Sequence, residues 1–138
     1  MRIPVATYRV QLAPAFPFQA AREILPYLAR LGVTDLYVSP ILQARPGSTH
    51  GYDVIDPQAV SPELGGKEGL NALLAELSRS SLGLLVDIVP NHMAFDGGNR
   101  LLADVLENGP DSRYFGFFDV EWDHPYESMK GRLLAPFL

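Results

Sequence analysis

Residues Leu82–Val89 read LGLLVDIV, a run in which Asp87 is the only polar side chain. A half-solvated strand would alternate polar and apolar positions. An amphipathic helix would place polar residues every third or fourth position and needs more length than this run has. The run suits a strand of a parallel sheet, covered on both faces. Parallel strands cannot be joined by a tight turn and require a crossover, usually a helix. The preceding sequence supplies such crossovers. Val5–Leu12 (VATYRVQL) has the β-branched and aromatic content of a first strand. QAAREILPYLARLG then places Ile24, Tyr27, Leu28 and Leu31 at helical spacing and ends at Gly32; Pro26, which has no backbone N–H to donate, predicts a kink unless the helix starts later. TDLYVSPIL reads as a second short strand, and KEGLNALLAELSRSS repeats the helical pattern through Leu70, Leu73, Leu74 and Leu77.

The order β-α-β-α-β builds a parallel sheet through right-handed crossovers, an α/β architecture. A doubly wound sheet and a (β/α)8 TIM barrel both begin in this way. No glycine-rich turn follows the first strand, so the dinucleotide fingerprint is absent. ELGGKEG fails as a phosphate loop, with Ser61 in place of the first glycine and Glu68 where Ser or Thr should follow Lys67. In either architecture a ligand sits beyond the C-terminal ends of the strands. The unusual chemistry falls there. The second strand runs into a Pro- and Gly-rich excursion, ILQARPGSTHGYDVIDPQAVSPELGG, roughly two dozen residues where ~2–6 are usual. The third strand ends in Pro90-Asn91-His92.

Composition excludes other classes of partner. The net charge of −5, with no basic stripe, argues against nucleic acid and anionic membrane. There is no cysteine, hence no disulfide framework or thiolate metal site, and a reducing cytoplasmic setting fits. MRIPVATYRV lacks the apolar segment of a signal peptide, and no uncharged run approaches membrane-spanning length. The three histidines, His50, His92 and His124, stand apart without metal-ligand spacing, so the spacing gives only weak support for a metal; no metal and no cofactor are assigned.

Several residues on the expected rim have the types that bind a hydroxyl-rich ligand. His92 can exchange hydrogen bonds with hydroxyls, or can simply be a capping or core histidine. Asp87, inside an apolar run, needs a basic or amide-bearing partner if it is buried. SerThrHisGlyTyrAsp (48–53) sets the Tyr52 ring beside the Asp53 carboxylate. Aromatic faces pack on the C–H face of a pyranose while neighbouring acids take its hydroxyls. The plainer alternative for the same tripeptide is a turn, with Gly51 supplying backbone freedom and Asp53 capping it. DSRYFGFFDVEWDHPYE (111–127) mixes aromatics and acids. It reads more readily as a satellite core than as a carbohydrate-facing surface.

HGYD, followed 37 residues later by DIVPNH, resembles the α-amylase superfamily of glycoside hydrolases and transglycosylases. ATYRVQL, YVSPILQARPGSTHGYDVIDP, ELGG, DIVPNHMAFDGGN and DVLENGPDSRYFGFFDVEWD narrow the likeness to the N-terminal part of the maltooligosyltrehalose synthase family, up to RLLAPFL. The resemblance implies the first three strands and two helices of a TIM barrel over residues 1–93. The start of the long insertion after the third strand would then span 94–138. It further implies that Tyr52 stacks on the glucose at the cleaved bond and that His92 hydrogen-bonds that sugar's hydroxymethyl group. Asp53 would be a further sugar contact. Asp87 would organise the rim, paired to an arginine of the next strand, with Asn91 and His50 in support.

The implied reaction converts the reducing-end α-1,4 link of a malto-oligosaccharide to an α,α-1,1 trehalose link through a covalent glucosyl-enzyme. Alternatives are amylase-like hydrolysis, another transglucosylation, or a non-catalytic carbohydrate-binding module. Retaining chemistry needs two carboxylates about 5 Å apart. The family draws them from the fourth and fifth strands. The acids Asp53, Asp56, Asp87, Asp119, Glu121 and Asp123 match none of those signatures. The chain is therefore expected to be a fragment, inactive alone, with nucleophile and acid/base beyond residue 138. Its open sheet edges are expected to make it self-associate.

Overall fold

Strand and helix alternate as the residue pattern requires. The chain runs through β1 (Thr7–Val10), α1 (Phe18–Glu23), α2 (Leu25–Leu31), β2 (Asp35–Val38), β3 (Leu42–Ala44), β4 (Val54–Val60), α3 (Gly66–Arg79) and β5 (Gly83–Val86), then α4 (Arg100–Asn108). The computed structural model describes residues 3–132; Leu133–Leu138, the end of the family-like RLLAPFL stretch, lies outside the described residues. Two compact units divide the chain, residues 1–98 and 99–138.

In the first unit β1, β2 and β5 form a parallel sheet in the order β1-β2-β5. The register aligns Arg9 with Tyr37 and Leu85, and Val10 with Val38 and Val86. Because successive side chains point to opposite faces, this pairing sorts the strands into two rows. One row, with Val10, Leu36 and Val38, packs beneath the helices. There it joins Phe18 and Ala21 of α1, Leu25 and Leu28 of α2, and Leu73 and Leu77 of α3. The other row carries Arg9 and Tyr37, whose guanidinium and ring meet at 5.2 Å.

Three features differ from the pattern-based reading. Pro26 does more than kink a helix. It lies in the first turn of α2, where a missing N–H costs nothing, and the chain makes a fresh start after Ile24. The restart changes the phase of the buried stripe. Leu25 and Leu28 go inside, while Tyr27 and Leu31 are 54% and 56% exposed. Likewise only Leu73 and Leu77 of the α3 leucines are fully buried, and Leu74 is exposed.

β5 is not covered on both faces. Among the described residues it pairs with β2 alone, the helices lie on one side, and Leu85, Val86 and Ile88 are exposed. The excursion after β2 is also structured rather than irregular. β3 and β4 form an antiparallel hairpin whose register slips on either side of Gln43. Pro57 cannot donate to a ladder, so β4 bulges there and carries more residues than its partner.

α3 closes on α1 because Gly69 presents no side chain to Phe18; a Cβ at Gly69 would stand 3.2 Å from the Phe18 ring. In the second unit α4 is capped by the fully buried Asn99, whose side-chain oxygen accepts from the Leu102 N–H at 3.1 Å. Leu101, Leu102 and Val105 form its buried stripe. The aromatics that follow pair edge-on (Tyr114–Phe117, 5.8 Å) and in a stack (Phe115–Trp122, 5.9 Å). Phe117 and Tyr126 nonetheless remain mostly exposed, so they do not close a satellite core.

The restarted stripe yields a discriminating test. Phe18→Ala should lower stability by ~3–5 kcal/mol in urea unfolding, as for other buried aromatics. Tyr27→Ala should stay within ~0.5 kcal/mol of the parent. The reverse ranking would restore the face read from the sequence.

Candidate functional site

The polar row of the sheet ends at a cluster built from four segments of the first unit. Asp87 follows β5 directly, its N–H donating to the Val38 carbonyl at 2.9 Å, so it continues the row of Leu85 on the side away from the helices. Tyr52 reaches the same place from the excursion. Its hydroxyl donates to Asp87 Oδ2 at 2.5 Å and accepts from Arg9 Nη2 at 2.7 Å. Arg9 Nη2 also lies 3.5 Å from Asp87 Oδ2.

Gly51 makes this approach feasible. Its φ is +78°, and a Cβ there would stand 2.9 Å from the Pro40 carbonyl oxygen. The sharp turn at Gly51 is held by Ser48, whose hydroxyl accepts from the Gly51 N–H at 3.1 Å and donates to Asp53. Asp53 is thereby engaged inside its own loop, with His50 Nδ1 3.7 Å from the same carboxylate oxygen.

The two histidines are held in opposite senses. His50 Nδ1 accepts the Tyr52 N–H at 3.0 Å, so the neutral ring carries its proton on Nε2 and is an outward donor. The His50 ring stacks on Tyr52, centroids 6.0 Å apart. His92 Nδ1 lies 3.1 Å from Asn91 Oδ1; in the tautomer that bonds this oxygen, Nδ1 carries the proton and Nε2 is left to accept. Asn91 thus braces His92 itself.

His92 and Asp87 are the two ionisable side chains lining an open cleft of about 300 Å³, walled by Pro40, Ile41, Val54, Pro57, Val86 and Met93. A mostly apolar concavity with a few polar groups, at the lower end of the usual size range, is the form of a small-ligand site. Tyr52 is joined to Asp87 through its hydroxyl, and His92 shares the lining of the cleft with Asp87. The segment beyond His92 is tied to the hairpin: Ala94 donates to the Val54 carbonyl and Asp96 pairs with Arg45 at 3.1 Å.

Among the described residues no group of three or more His, Cys, Asp or Glu side chains could hold a metal ion, and no helix is long and apolar enough to cross a membrane.

Among the described residues, the arginine that reaches Asp87 is Arg9 of the first strand. Sequence reasoning missed Arg9, Tyr37 and Gln11. The available signal was the alternation in TYRVQL, where Val10 and Leu12 are buried and Arg9 and Gln11 must take the opposite face.

The cluster shifts two titrations. The hydrogen bond from Tyr52, more than the nearby Arg9, holds the Asp87 carboxyl below its ordinary range. The hydrogen bond to Asp87 raises the Tyr52 phenol, against the opposing pull of Arg9. A lowered acid contributes stability above its ordinary pKa, about 3.9, and loses it as pH falls through the lowered value. A raised phenol contributes below about 10 and loses it as pH rises through the raised value. The cluster is intact between those limits. Asp87→Asn removes the main raising influence and leaves Arg9, so Tyr52 should ionise at lower pH. Ultraviolet phenolate titration, with Tyr52→Phe identifying the component, reads this; an unchanged midpoint would exclude the Tyr52–Asp87 bond.

A family model for the alpha amylase catalytic domain matches residues 19–133. A Mycobacterium tuberculosis protein provisionally named maltooligosyl trehalose synthase is 47% identical over the whole chain, which spans 19% of that protein's length. A cyclomaltodextrinase of Geobacillus thermopakistaniensis is 38% identical over 74% of the chain and 17% of its own length. The solved maltooligosyltrehalose synthase of Arthrobacter ramosus superposes with a TM-score of 0.81 at 45% identity, over 86% of this chain and 16% of that one. The chain thus spans about a fifth of the relatives it matches, and its β-α-β-α-β succession is the kind of start a TIM barrel makes. The matched family model, the strand order and the HGYD and DIVPNH rim lead to one conclusion: this chain belongs to the alpha-amylase family, as part of its catalytic domain.

Proposed function

We propose that the chain is the N-terminal part of an enzyme of the maltooligosyltrehalose synthase kind and supplies one wall of its glucosyl-binding site. In this reading Tyr52 presents a ring face to the glucose at the reacting bond, and His92 bonds its hydroxymethyl group. Asp87 holds Tyr52, Asn91 orients His92, and His50 backs the Tyr52 ring. Asp53, bonded to Ser48, serves the loop first and the sugar second. Residues 94–138 begin an insertion after the third barrel strand.

The observation that carries the reading is the state of the Tyr52 hydroxyl. A phenol has one proton to donate, and here it goes to Asp87 while Arg9 takes a lone pair. What Tyr52 has left for a ligand is its ring, and one face of that already meets His50. An aromatic face whose hydroxyl is already committed suits the apolar C–H face of a pyranose better than a charged ligand.

The complete enzyme would break the reducing-end α-1,4 link with retention and re-form it as α,α-1,1. Such a rearrangement succeeds only if the held glucose outcompetes water. Proximity of the bound acceptor is worth up to ~7–11 kcal/mol toward that end. The carboxylates for the chemistry belong to later strands, so residues 1–138 alone should turn over nothing. The cysteine-free, acidic composition fits a cytoplasmic enzyme acting on malto-oligosaccharides without a cofactor.

The identity shared with a cyclomaltodextrinase keeps hydrolysis as a second reading. Incubating the complete protein with maltopentaose separates the two: a non-reducing product of unchanged mass supports isomerisation, whereas shorter reducing sugars establish hydrolysis. Tyr52→Ala should lower kcat/KM for maltopentaose at least about tenfold, an effect of ~1.4 kcal/mol. An unaffected kcat/KM would remove the glucan reading. For the isolated 138-residue chain, whose β5 edge is open, light scattering should show association; a monodisperse monomer would contradict this.

A further inference from the structure

We propose that Arg9 is a positioning residue for Tyr52, fixing the angle at which the Tyr52 ring is offered to the sugar; this rests on the glucosyl-binding reading above. Nothing in the HGYD or DIVPNH motifs points to Arg9, which enters from the first strand, 43 residues from Tyr52 in sequence. At the tip of the Tyr52 ring it meets both the hydroxyl and the carboxylate that the hydroxyl bonds. Its Nη2 donates to the Tyr52 hydroxyl at 2.7 Å and stands 3.5 Å from the carboxylate to which that hydroxyl donates. Its other terminal nitrogen bonds Gln11 Oε1 at 3.3 Å, and Gln11 Nε2 in turn donates to the His50 carbonyl at 2.9 Å. The guanidinium lies over the Tyr37 ring.

Arg9 therefore touches both things that orient Tyr52: directly its hydroxyl, and through Gln11 the backbone of His50, whose ring stacks on it. A tyrosine held only by Asp87 could swing about that single hydrogen bond. Two anchors at the hydroxyl define the ring plane. A planar guanidinium can serve the hydroxyl, the carboxylate and Gln11 together while stacking on Tyr37. An ammonium is a point charge on a flexible stem and cannot.

The test is a double-mutant cycle in the complete protein, with kcat and KM measured on maltopentaose. Arg9→Met and Tyr52→Phe each sever the same contact from opposite ends. Each should lower kcat/KM about tenfold, since small misplacements of a reacting group are costly. The double variant should be no worse than the poorer single, because the interaction is already lost. Arg9→Lys, which keeps the charge, should stay within about threefold of Arg9→Met.

An independent readout is the 13Cζ resonance of Tyr52, assigned by its loss in Tyr52→Phe, which should move in Arg9→Met. It needs no turnover, so it decides the positioning role even if Tyr52→Ala removes the glucan reading. Additive single effects, full recovery by lysine, or an unmoved Tyr52 resonance in folded Arg9→Met would each overturn the proposal. Arg9 is well exposed, with 39% of its side chain accessible, and a thermal midpoint near that of the parent confirms that the variant folds.

Discussion

Period-two alternation in a short parallel sheet governs what this chain can present. Each strand has a row committed to the helices, and burial of Val10, Leu36 and Val38 against Phe18, Leu25 and Leu73 fixes which row that is. A slip of one residue would exchange the rows and expose the core. With the register set, Arg9, Tyr37 and the position of Asp87 have no freedom of side. They must face away from the helices. The polar cluster at the strand ends is thus a by-product of the apolar packing beneath it, and its precision derives from that packing.

Onto this fixed row the excursion delivers Tyr52. It does so as a bulged hairpin with a tight turn, rather than as a loose loop. The turn is made by Gly51 at φ +78° against the Pro40 carbonyl and closed by Ser48 and Asp53. Tyr52 then meets a carboxylate and a guanidinium from different strands. The resulting three-way contact joins segments that lie far apart in sequence, so it depends on tertiary structure more than on any local propensity. It also commits the tyrosine hydroxyl within the protein, to Asp87 and Arg9. The histidines follow the same logic, since in each a bond at Nδ1 decides what Nε2 can do for a ligand.

The first and third strands, the helical crossovers and the two rim motifs were legible in the residues because each rests on a local signal. Those signals are β-branched content, apolar spacing, a terminal glycine and a polar ending to an apolar run. The β3–β4 hairpin was not legible: Pro57 and the scattered glycines read as loop, and a bulged ladder has no clean alternation to find. α4 was also missed, although Asn99 before Leu101, Leu102 and Val105 is a cap followed by a stripe. The helix face around Pro26 was misjudged because a proline at the start of a helix resets the phase that spacing alone assumes to be continuous.

Sequence by itself determined the α/β class, the end of the sheet at which polar groups gather, and the identities of Tyr52, Asp87 and His92 as residues out of place in a core. These are local or compositional facts, carried by residues near one another in the chain. Only the tertiary structure decided that Arg9 is the cation beside Asp87, that the Tyr52 hydroxyl is consumed within the protein, and that Asp53 turns inward to Ser48. Each of those outcomes depends on the strand register and on which residues from remote segments come within hydrogen-bonding distance. No pattern along the chain encodes such a distance.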